Sequence, residues 1–279
     1  MTFPRQQQKW PGLESRMQPR PDYGADSYRG SARLAGRKAL VTGGDSGIGR
    51  AVAVAFAREG ADVAISYLPE EQSDAEETKR VVEAAGRRCL LLPGDLQDER
   101  FCREIVAETA REFGGLDVLA NIAGYQMSFE SFADIPAADI ERVYRTNIFA
   151  LFWLCQAAVR VMKPGSSIIN TASIQAYQPS PSILHYSSSK GAIATFTKGL
   201  AQELAPKGFR VNAVAPGPVW TPLIVSTMGP AVEKFGEQAP LERAGQPAEM
   251  APIYVLLASN ESSYVTGMIY GATGGEITA

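Results

Sequence analysis

The sequence predicts an α/β protein built on one doubly wound parallel sheet, with a proline-rich arm ahead of it. From Arg37 onward, short apolar runs alternate with longer segments of helical periodicity. That is the pattern of βαβ units, whose crossovers are right-handed and whose sheet is covered on both faces. The first apolar run opens directly into a glycine-rich turn. The chain has 279 residues and is 45% hydrophobic, which is enough for one large core and rules out a wholly disordered chain.

Taken in order, Lys38–Thr42 is the first strand, and residues 48–59 read as a helix. Ile48, Val52, Ala55 and Phe56 share one face of it, and Gly60 is its stop. Asp62–Tyr67 is the second strand, and 73–85 is a polar helix ended by Gly86. Arg88–Leu92 is the third strand, 97–113 a helix ended by Gly114, and Asp117–Asn121 the fourth strand. One long helix is predicted over 137–162, entered through Asp134 and Pro136. Ser167–Thr171 is strand five, and a helix over 185–204 follows a loop rich in proline and serine. Arg210–Ala215 is strand six, followed by a proline-rich loop and a variable stretch over 222–245. A helix over 248–258 and a last strand near 268–271 complete the pattern.

Residues 1–36 differ in composition. They are rich in Pro, Gln, Arg and Gly, and Pro4, Pro11, Pro19 and Pro21 forbid a long helix. Two readings stay open: a disordered tail, or an extended arm anchored by Trp10, Leu13, Met17, Tyr23 and Tyr28 on the body or on a neighbouring subunit. The predicted organisation is therefore an arm over 1–36 and one domain over 37–279.

Composition excludes several function classes. The formal charge is −3, so no basic excess exists to hold nucleic acid. Cys89, Cys102 and Cys155 are scattered and His185 is the single histidine, which leaves no Cys/His metal site and fits a reducing compartment. No run approaches the ~18 apolar residues of a membrane span, and a soluble cytoplasmic setting is expected.

The turn Thr42-Gly43-Gly44-Asp45-Ser46-Gly47-Ile48-Gly49 joins the first strand to the first helix. Glycines there let phosphate approach the backbone, and the helix N-terminus supplies free N–H groups and a partial positive charge. This predicts a Rossmann-like nucleotide site, although the glycine spacing is not that of the common dinucleotide fingerprint. No Lys-Ser/Thr follows the turn, which excludes a nucleoside-triphosphate P-loop.

Further along, Tyr186 and Lys190 stand four residues apart at the start of a helix, so they share a face. A cation beside a phenol favours phenolate and lowers its pKa from about 10, which suits a proton donor to a substrate oxygen. Ser173 lies just past strand five, thirteen residues before Tyr186. It is delivered to the carboxyl edge of the sheet, where open α/β sheets bind ligands.

Thr42-Gly43-x3-Gly47-Ile48-Gly49, together with Ser173, Tyr186 and Lys190, resembles the motifs of the single-domain short-chain dehydrogenases/reductases. The resemblance covers nearly all of residues 37–275. It implies that Tyr186 is the general acid/base, that Lys190 lowers its pKa and holds ribose hydroxyls, and that Ser173 bonds the substrate oxygen. Asn147 matches the fourth member of the catalytic tetrad and would keep a water-linked proton path to Lys190. The turn residues Gly43, Asp45, Ser46, Gly47, Ile48 and Gly49 would hold the dinucleotide, with Tyr67 at the end of strand two. Asp95 and Leu96 resemble the pair that contacts adenine. Asn121-Ile122-Ala123-Gly124 resembles an Asn-Asn-Ala-Gly turn, with Ile122 in place of the second asparagine. Pro216, Gly217, Val219 and Thr221 resemble the loop that holds the nicotinamide carboxamide. Thr273-Gly274-Gly275 stands where the family usually has Asp-Gly-Gly.

The stretch Ile65-Ser66-Tyr67-Leu68-Pro69-Glu70 carries neither the usual acid nor the usual cation that decides between NAD and NADP. The missing cations favour NAD, while serine and tyrosine hydroxyls leave NADP open. Gln175, Tyr177, Gln178, Pro179 and Trp220 flank the catalytic edge and suit a small polar carbonyl or polyol, although core packing explains Tyr177 or Trp220 equally well. The arm and the stretch 173–181 resemble the bacterial glucose/ribitol-dehydrogenase-like, aldehyde-reducing branch. The expected reaction is hydride transfer between a nicotinamide cofactor and an aldehyde, ketone or sugar alcohol. The alternatives are a 3-oxoacyl-carrier-protein reductase and a non-catalytic nucleotide-sensing protein of the same fold. The resemblance also implies a homotetramer paired through the helices at 137–162 and 185–204. It implies no metal, no nucleic acid and no membrane partner.

Overall fold

A computed structural model describes residues 3–229 and 232–278 of the chain. Residues 1 and 2 of the arm, 230 and 231 of the variable stretch, and 279 lie outside the described residues.

Seven strands form one sheet: β1 (Lys38–Thr42), β2 (Asp62–Tyr67), β3 (Cys89–Pro93), β4 (Val118–Asn121), β5 (Ser167–Thr171), β6 (Arg210–Pro216) and β7 (Ile269–Ala272). Their order is β3-β2-β1-β4-β5-β6-β7, and every neighbouring pair is parallel. This is the doubly wound sheet that the alternation predicts. β1 pairs with β2 on one side and β4 on the other, with Leu40 opposite Ala64 and Leu119. The chain reverses its direction of winding between β1 and β4, which opens a crevice beyond their carboxyl ends.

The helices are α1 (Gly47–Arg58), α2 (Gln72–Ala84), α3 (Glu99–Phe113), α4 (Ala137–Tyr144), α5 (Ala150–Val161), α6 (Leu184–Leu204), α7 (Pro222–Thr227) and α8 (Pro247–Ala258). One apolar layer packs Val52, Phe56, Val63, Ile65, Tyr254 and Leu257 beneath α1 and α8. The other packs Leu40, Ile105, Leu119, Leu151, Leu154 and Ile168 beneath α3, α5 and α6. Strand interiors such as Leu40, Val41, Leu119 and Ile168 are fully buried, as a parallel sheet covered on both faces requires.

The sequence-predicted elements differ from the observed ones in three informative places. The helix predicted from residue 97 begins at Glu99, because the Asp98 side chain accepts the Arg100 N–H and caps it there. The single long helix over 137–162 is interrupted by a π-helical turn over Arg145–Phe149. Asn147 lies in that turn, and its amide bonds both the N–H and the C=O of Tyr125, at 2.8 and 2.9 Å. A π-turn of this kind inserts one residue and re-aims a side chain. The variable stretch over 222–245 contains the short helix α7.

Residues 3–36 run along the body. The Phe3 ring stacks on Trp220 at 3.7 Å, and Trp220 Nε1–H donates to the Pro19 carbonyl at 3.0 Å. Farther on, Tyr28 and Arg33 converge on the Glu59 carboxylate at 2.7 and 2.6 Å. These contacts exclude the disordered-tail reading for the described residues.

Candidate active site

A cleft of about 420 Å³ opens at the carboxyl edge of the sheet, within the size range of small-ligand sites. The glycine turn forms its floor. A Cβ at Gly49 would stand 1.8 Å from the Gly43 carbonyl oxygen, so only glycine lets the two limbs of the turn close. Gly43 has φ +64°, and a Cβ there would press on Ala123 Cα at 3.0 Å. Thr42 holds the facing loop, its hydroxyl accepting from the N–H groups of Ile122 and Ala123 at 2.9 and 3.1 Å.

The structure brings most of the predicted site residues into this one cleft. Gly43, Asp45, Ser46, Gly47, Ile48, Gly49, Tyr67, Asp95 and Leu96 line it. So do Ala123, Gly124, Ser173, Tyr186, Lys190, Pro216, Gly217, Val219 and Thr221. Two predicted residues stand behind it. The Asn121 amide donates to Asn170 Oδ1 at 2.9 Å and so ties β4 to β5. Asn147 faces Tyr125 and the Ser189 hydroxyl, which it reaches at 3.0 Å. Both border a smaller cavity of about 20 Å³, room for one water, and Asn121 Oδ1 is buried without a partner among the described residues.

Tyr186 and Lys190 lie one turn apart on α6, both buried. Lys190 Nζ stands 5.4 Å from the Tyr186 ring centroid and donates to the Thr171 carbonyl at 2.7 Å. Burial pushes the Tyr186 phenol up to about 12, against the pull of the Ser173 hydroxyl. It also pushes the Lys190 ammonium down to about 7. The sequence predicts a lowered phenol, and the structure has it raised. Loss of water around both groups outweighs their mutual support. Ser173 caps the turn after β5, its hydroxyl accepting from Gln175 N–H at 3.2 Å.

Of the two readings left open for Trp220 and Tyr177, the structure has core packing. Trp220 is fully buried beneath Phe3, and Tyr177 packs against the core layer of α5 and α6. Gln178 reaches the Ile277 carbonyl at 3.0 Å and does not line the cleft, whereas Gln175 does.

Four residues at the cleft had no place there in the sequence reasoning. Glu71, four residues beyond the end of β2, lines the cleft beside Tyr67 and Leu68. Burial, with Asp45 nearby, pushes its carboxyl up to about 9, and burial raises Asp45 to about 6. Arg142 and Trp10 line the cleft from α4 and from the arm. Glu14 of the arm accepts the Gly47 N–H at 2.6 Å, at the very N-terminus of α1. Burial raises its carboxyl to about 7 against the pull of Arg50. The tyrosines and tryptophan of the arm signalled anchoring, but no local pattern signalled a place in the cleft.

A dinucleotide fits this arrangement. The turn is a cradle that any Cβ would fill, and the buried oxygens Asp45 Oδ2 and Ser66 Oγ have no partner among the described residues. A hydroxyl, a phenol and an amine meet beside that cradle. Together they can move a proton to or from an oxygen held between Ser173 and Tyr186.

The chain is similar to several known proteins. Residues 43–276 match the family described as "Enoyl-(Acyl carrier protein) reductase". An uncharacterized oxidoreductase of Bacillus subtilis, YhxD, is 56% identical over 99% of this chain and 94% of its own. Glucose and ribitol dehydrogenase homolog 2 of Arabidopsis thaliana is 48% identical over 98% of this chain and 97% of its own. NADPH-dependent aldehyde reductase 1, chloroplastic, of Arabidopsis thaliana is 46% identical over 96% of this chain and 95% of its own. A short chain dehydrogenase from Burkholderia cenocepacia J2315, solved in complex with NADP, superposes with a TM-score of 0.82 at 33% identity. That match covers 88% of this chain and 99% of the other. Sheet order, cleft and sequence kinship agree, and the chain belongs to the short-chain dehydrogenases/reductases, as an NAD(P)-dependent oxidoreductase of that family.

Proposed function

We propose that this enzyme interconverts a small carbonyl compound and its alcohol, with Tyr186 as the general acid/base. The observation that carries the reading is the meeting of Ser173, Tyr186 and Lys190 in the same cleft as the glycine turn. Bound nicotinamide supplies or accepts the hydride at the substrate carbon. Ser173 donates to the substrate oxygen and orients it toward Tyr186. The phenol gives that oxygen a proton in reduction and takes it back in oxidation. A phenol raised to about 12 is protonated at neutral pH and is ready for the reducing direction. Asn147 positions Ser189, whose hydroxyl donates to the Tyr186 carbonyl at 2.7 Å, and so steadies the first turn of α6.

For the cofactor, relatives and neighbours named with NADP or NADPH support a nicotinamide dinucleotide. The residues of this chain favour NAD. Asp45 and Glu71 set two carboxyl groups on the adenosine side of the cleft, together with the Ser66 hydroxyl of β2, which has no partner among the described residues. Carboxyl oxygens accept from ribose hydroxyls, and among the described residues no lysine or arginine lines the cleft there to meet a 2′-phosphate. The relatives' names support an aldehyde or sugar alcohol as substrate, and Gln175 and Gln126 are cleft amides that suit one.

Residues 1–36 are the arm and 37–279 the catalytic domain of a cytoplasmic homotetramer. Support for assembly comes from Phe149 and Phe152, 43% and 44% exposed on the outer face at α5. Among the described residues no helix is long and apolar enough to cross a membrane.

The test is a matrix of NADH and NADPH against aldehydes, sugars and acyl thioesters, read by cofactor absorbance. It is run on the wild type and Tyr186→Phe. The variant should bind cofactor normally and lose roughly 10²- to 10⁴-fold in kcat. An unchanged rate removes Tyr186 from the chemistry. Acyl thioesters turned over faster than aldehydes would favour the carrier-protein reductase that the family description names. Light scattering checks the tetramer.

A further inference from the structure

Residues 8–14 of the arm touch three walls of the cleft. Gln8 N–H donates to the Val225 carbonyl of α7 at 2.9 Å. Glu14 takes the Gly47 N–H of α1 at 2.6 Å. Between these ties, Trp10 sits edge-on to Tyr125, with ring centroids 4.9 Å apart, on the side of the cleft formed by α4. Trp10 and Gly12 both line the cleft. A Cβ on Gly12 would meet the Pro222 carbonyl at 2.9 Å, so the strand of arm is seated tightly. The arm is thus a strap across the opening.

One hydrogen-bond donor on that strap is unclaimed, and one cation beneath it has no anionic partner among the described residues. Trp10 Nε1–H is buried and has no partner among the described residues. The Arg142 guanidinium lies 5.4 Å from the Trp10 ring and 4.4 Å from the Tyr125 ring. Its neighbour Arg145 is paired with Glu141, whereas Arg142 forms no ion pair among the described residues. Among the described residues it is the only arginine that lines the cleft, and Lys190, the only lysine there among them, is drawn toward neutrality by burial. A cleft built for a dianionic group therefore has one strong cation. It lines the same cleft as the N-terminus of α1, whose first N–H groups beyond Gly47 have no partner inside the helix.

We propose that the arm is part of the nucleotide site, and that Trp10 and Arg142 donate to the diphosphate of the bound dinucleotide across the cleft from the glycine turn. Trp10 and Arg142 are then binding residues, and the strap must lift for the dinucleotide to enter or leave. The shared chemistry is a multiply charged oxyanion, and a carboxylate or phosphate carried by the substrate is the other source of it. This inference rests on the dinucleotide reading of the site.

The test measures binding by calorimetry in the full-length protein. Trp10→Phe keeps the ring against Tyr125 and removes the N–H; Arg142→Met keeps the stem and removes the charge. NADH and ADP-ribose should each bind about tenfold more weakly to Arg142→Met, the value of one hydrogen bond to a charged group. A smaller loss in the same direction is expected for Trp10→Phe, and adenosine, which lacks phosphate, should bind all three proteins equally. Unchanged ADP-ribose affinity in both variants overturns the proposal. So does a raised KM confined to carbonyl substrates that bear an anion, which would assign the donors to the substrate. If the wild type binds neither NADH nor ADP-ribose, the dinucleotide reading falls as well. Should Arg142→Met unfold, Trp10→Phe carries the same comparison.

Discussion

Glu14 of the arm and Arg50 of α1 form an ion pair at 2.6 Å, with each side chain only 1% exposed. Arg50 is further held by the Asp45 carbonyl at 2.7 Å, the Thr78 hydroxyl at 3.0 Å and the Asp74 carbonyl at 2.8 Å. A guanidinium so enclosed has no water to replace a lost partner. Glu14→Ala should therefore cost about 3–5 kcal/mol, the usual effect of breaking a buried pair from one side. Glu14→Gln, which keeps an acceptor for the Gly47 N–H, should cost less. Urea unfolding of the two variants beside the wild type decides it, and two wild-type-like curves would show that the arm adds nothing to stability.

Lys190 links stability to pH. Its ammonium is depressed from the ordinary value of 10.5 to about 7 by burial. Between those values the unfolded chain holds a proton that the folded chain lacks, so stability rises with pH, by about 1.4 kcal/mol per unit from this group. Below pH 7 the folded chain carries the full cost of a buried cation. Lys190→Met should lose this slope over roughly pH 7–10.5 and gain most in stability below it. Parallel stability–pH curves for the two proteins would contradict the burial argument.

Gly49 is a steric requirement of the turn. A methyl group there would have to occupy space held by the Gly43 backbone, 1.8 Å from its oxygen. Gly49→Ala should open the turn, weaken NADH binding by at least tenfold and lower Tm. The closeness is between backbone atoms, so side-chain repacking cannot relieve it. Calorimetric titration with NADH would show this, and wild-type affinity would mean that the two limbs of the turn need not touch.

Cofactor preference should follow the carboxyl pair. NADH is expected to exceed NADPH in kcat/KM by at least tenfold, because Asp45 and Glu71 line the cleft beside Tyr67 and, among the described residues, no lysine or arginine lines it next to them. In Asp45→Ser combined with Glu71→Gln the ratio should fall toward one, mainly through a lower KM for NADPH. A wild type that prefers NADPH would show that backbone and hydroxyl donors suffice for the 2′-phosphate.

What was legible in the chain and what was not divide along a physical line. Alternating apolar runs revealed the strands, because a buried parallel strand must be apolar on both faces. Gly43, Gly47 and Gly49 revealed the turn, because close backbone approach admits no other residue. The interval from Ser173 through Tyr186 to Lys190 revealed three residues that line one cleft. The break at Asn147 was hidden, because its cause is a bond to Tyr125, a residue 22 positions away. Trp220 was ambiguous, since its burial under Phe3 joins residues more than two hundred positions apart.

By itself, the sequence determined the sheet, the glycine turn and the Ser173, Tyr186 and Lys190 set, since periodicity and short spacing are properties of the local chain. The tertiary structure alone decided that the arm straps the cleft, that Glu71 and Arg142 face into it, and that Asn121 and Asn147 stand behind it. It also reversed the expected direction for Tyr186, whose phenol is raised by burial. The length and composition of residues 3–36 left a loose tail open. The pairing of Glu14 with Arg50, 36 positions away, closed that reading, because burial and long-range charge contacts have no signature in any short stretch of sequence.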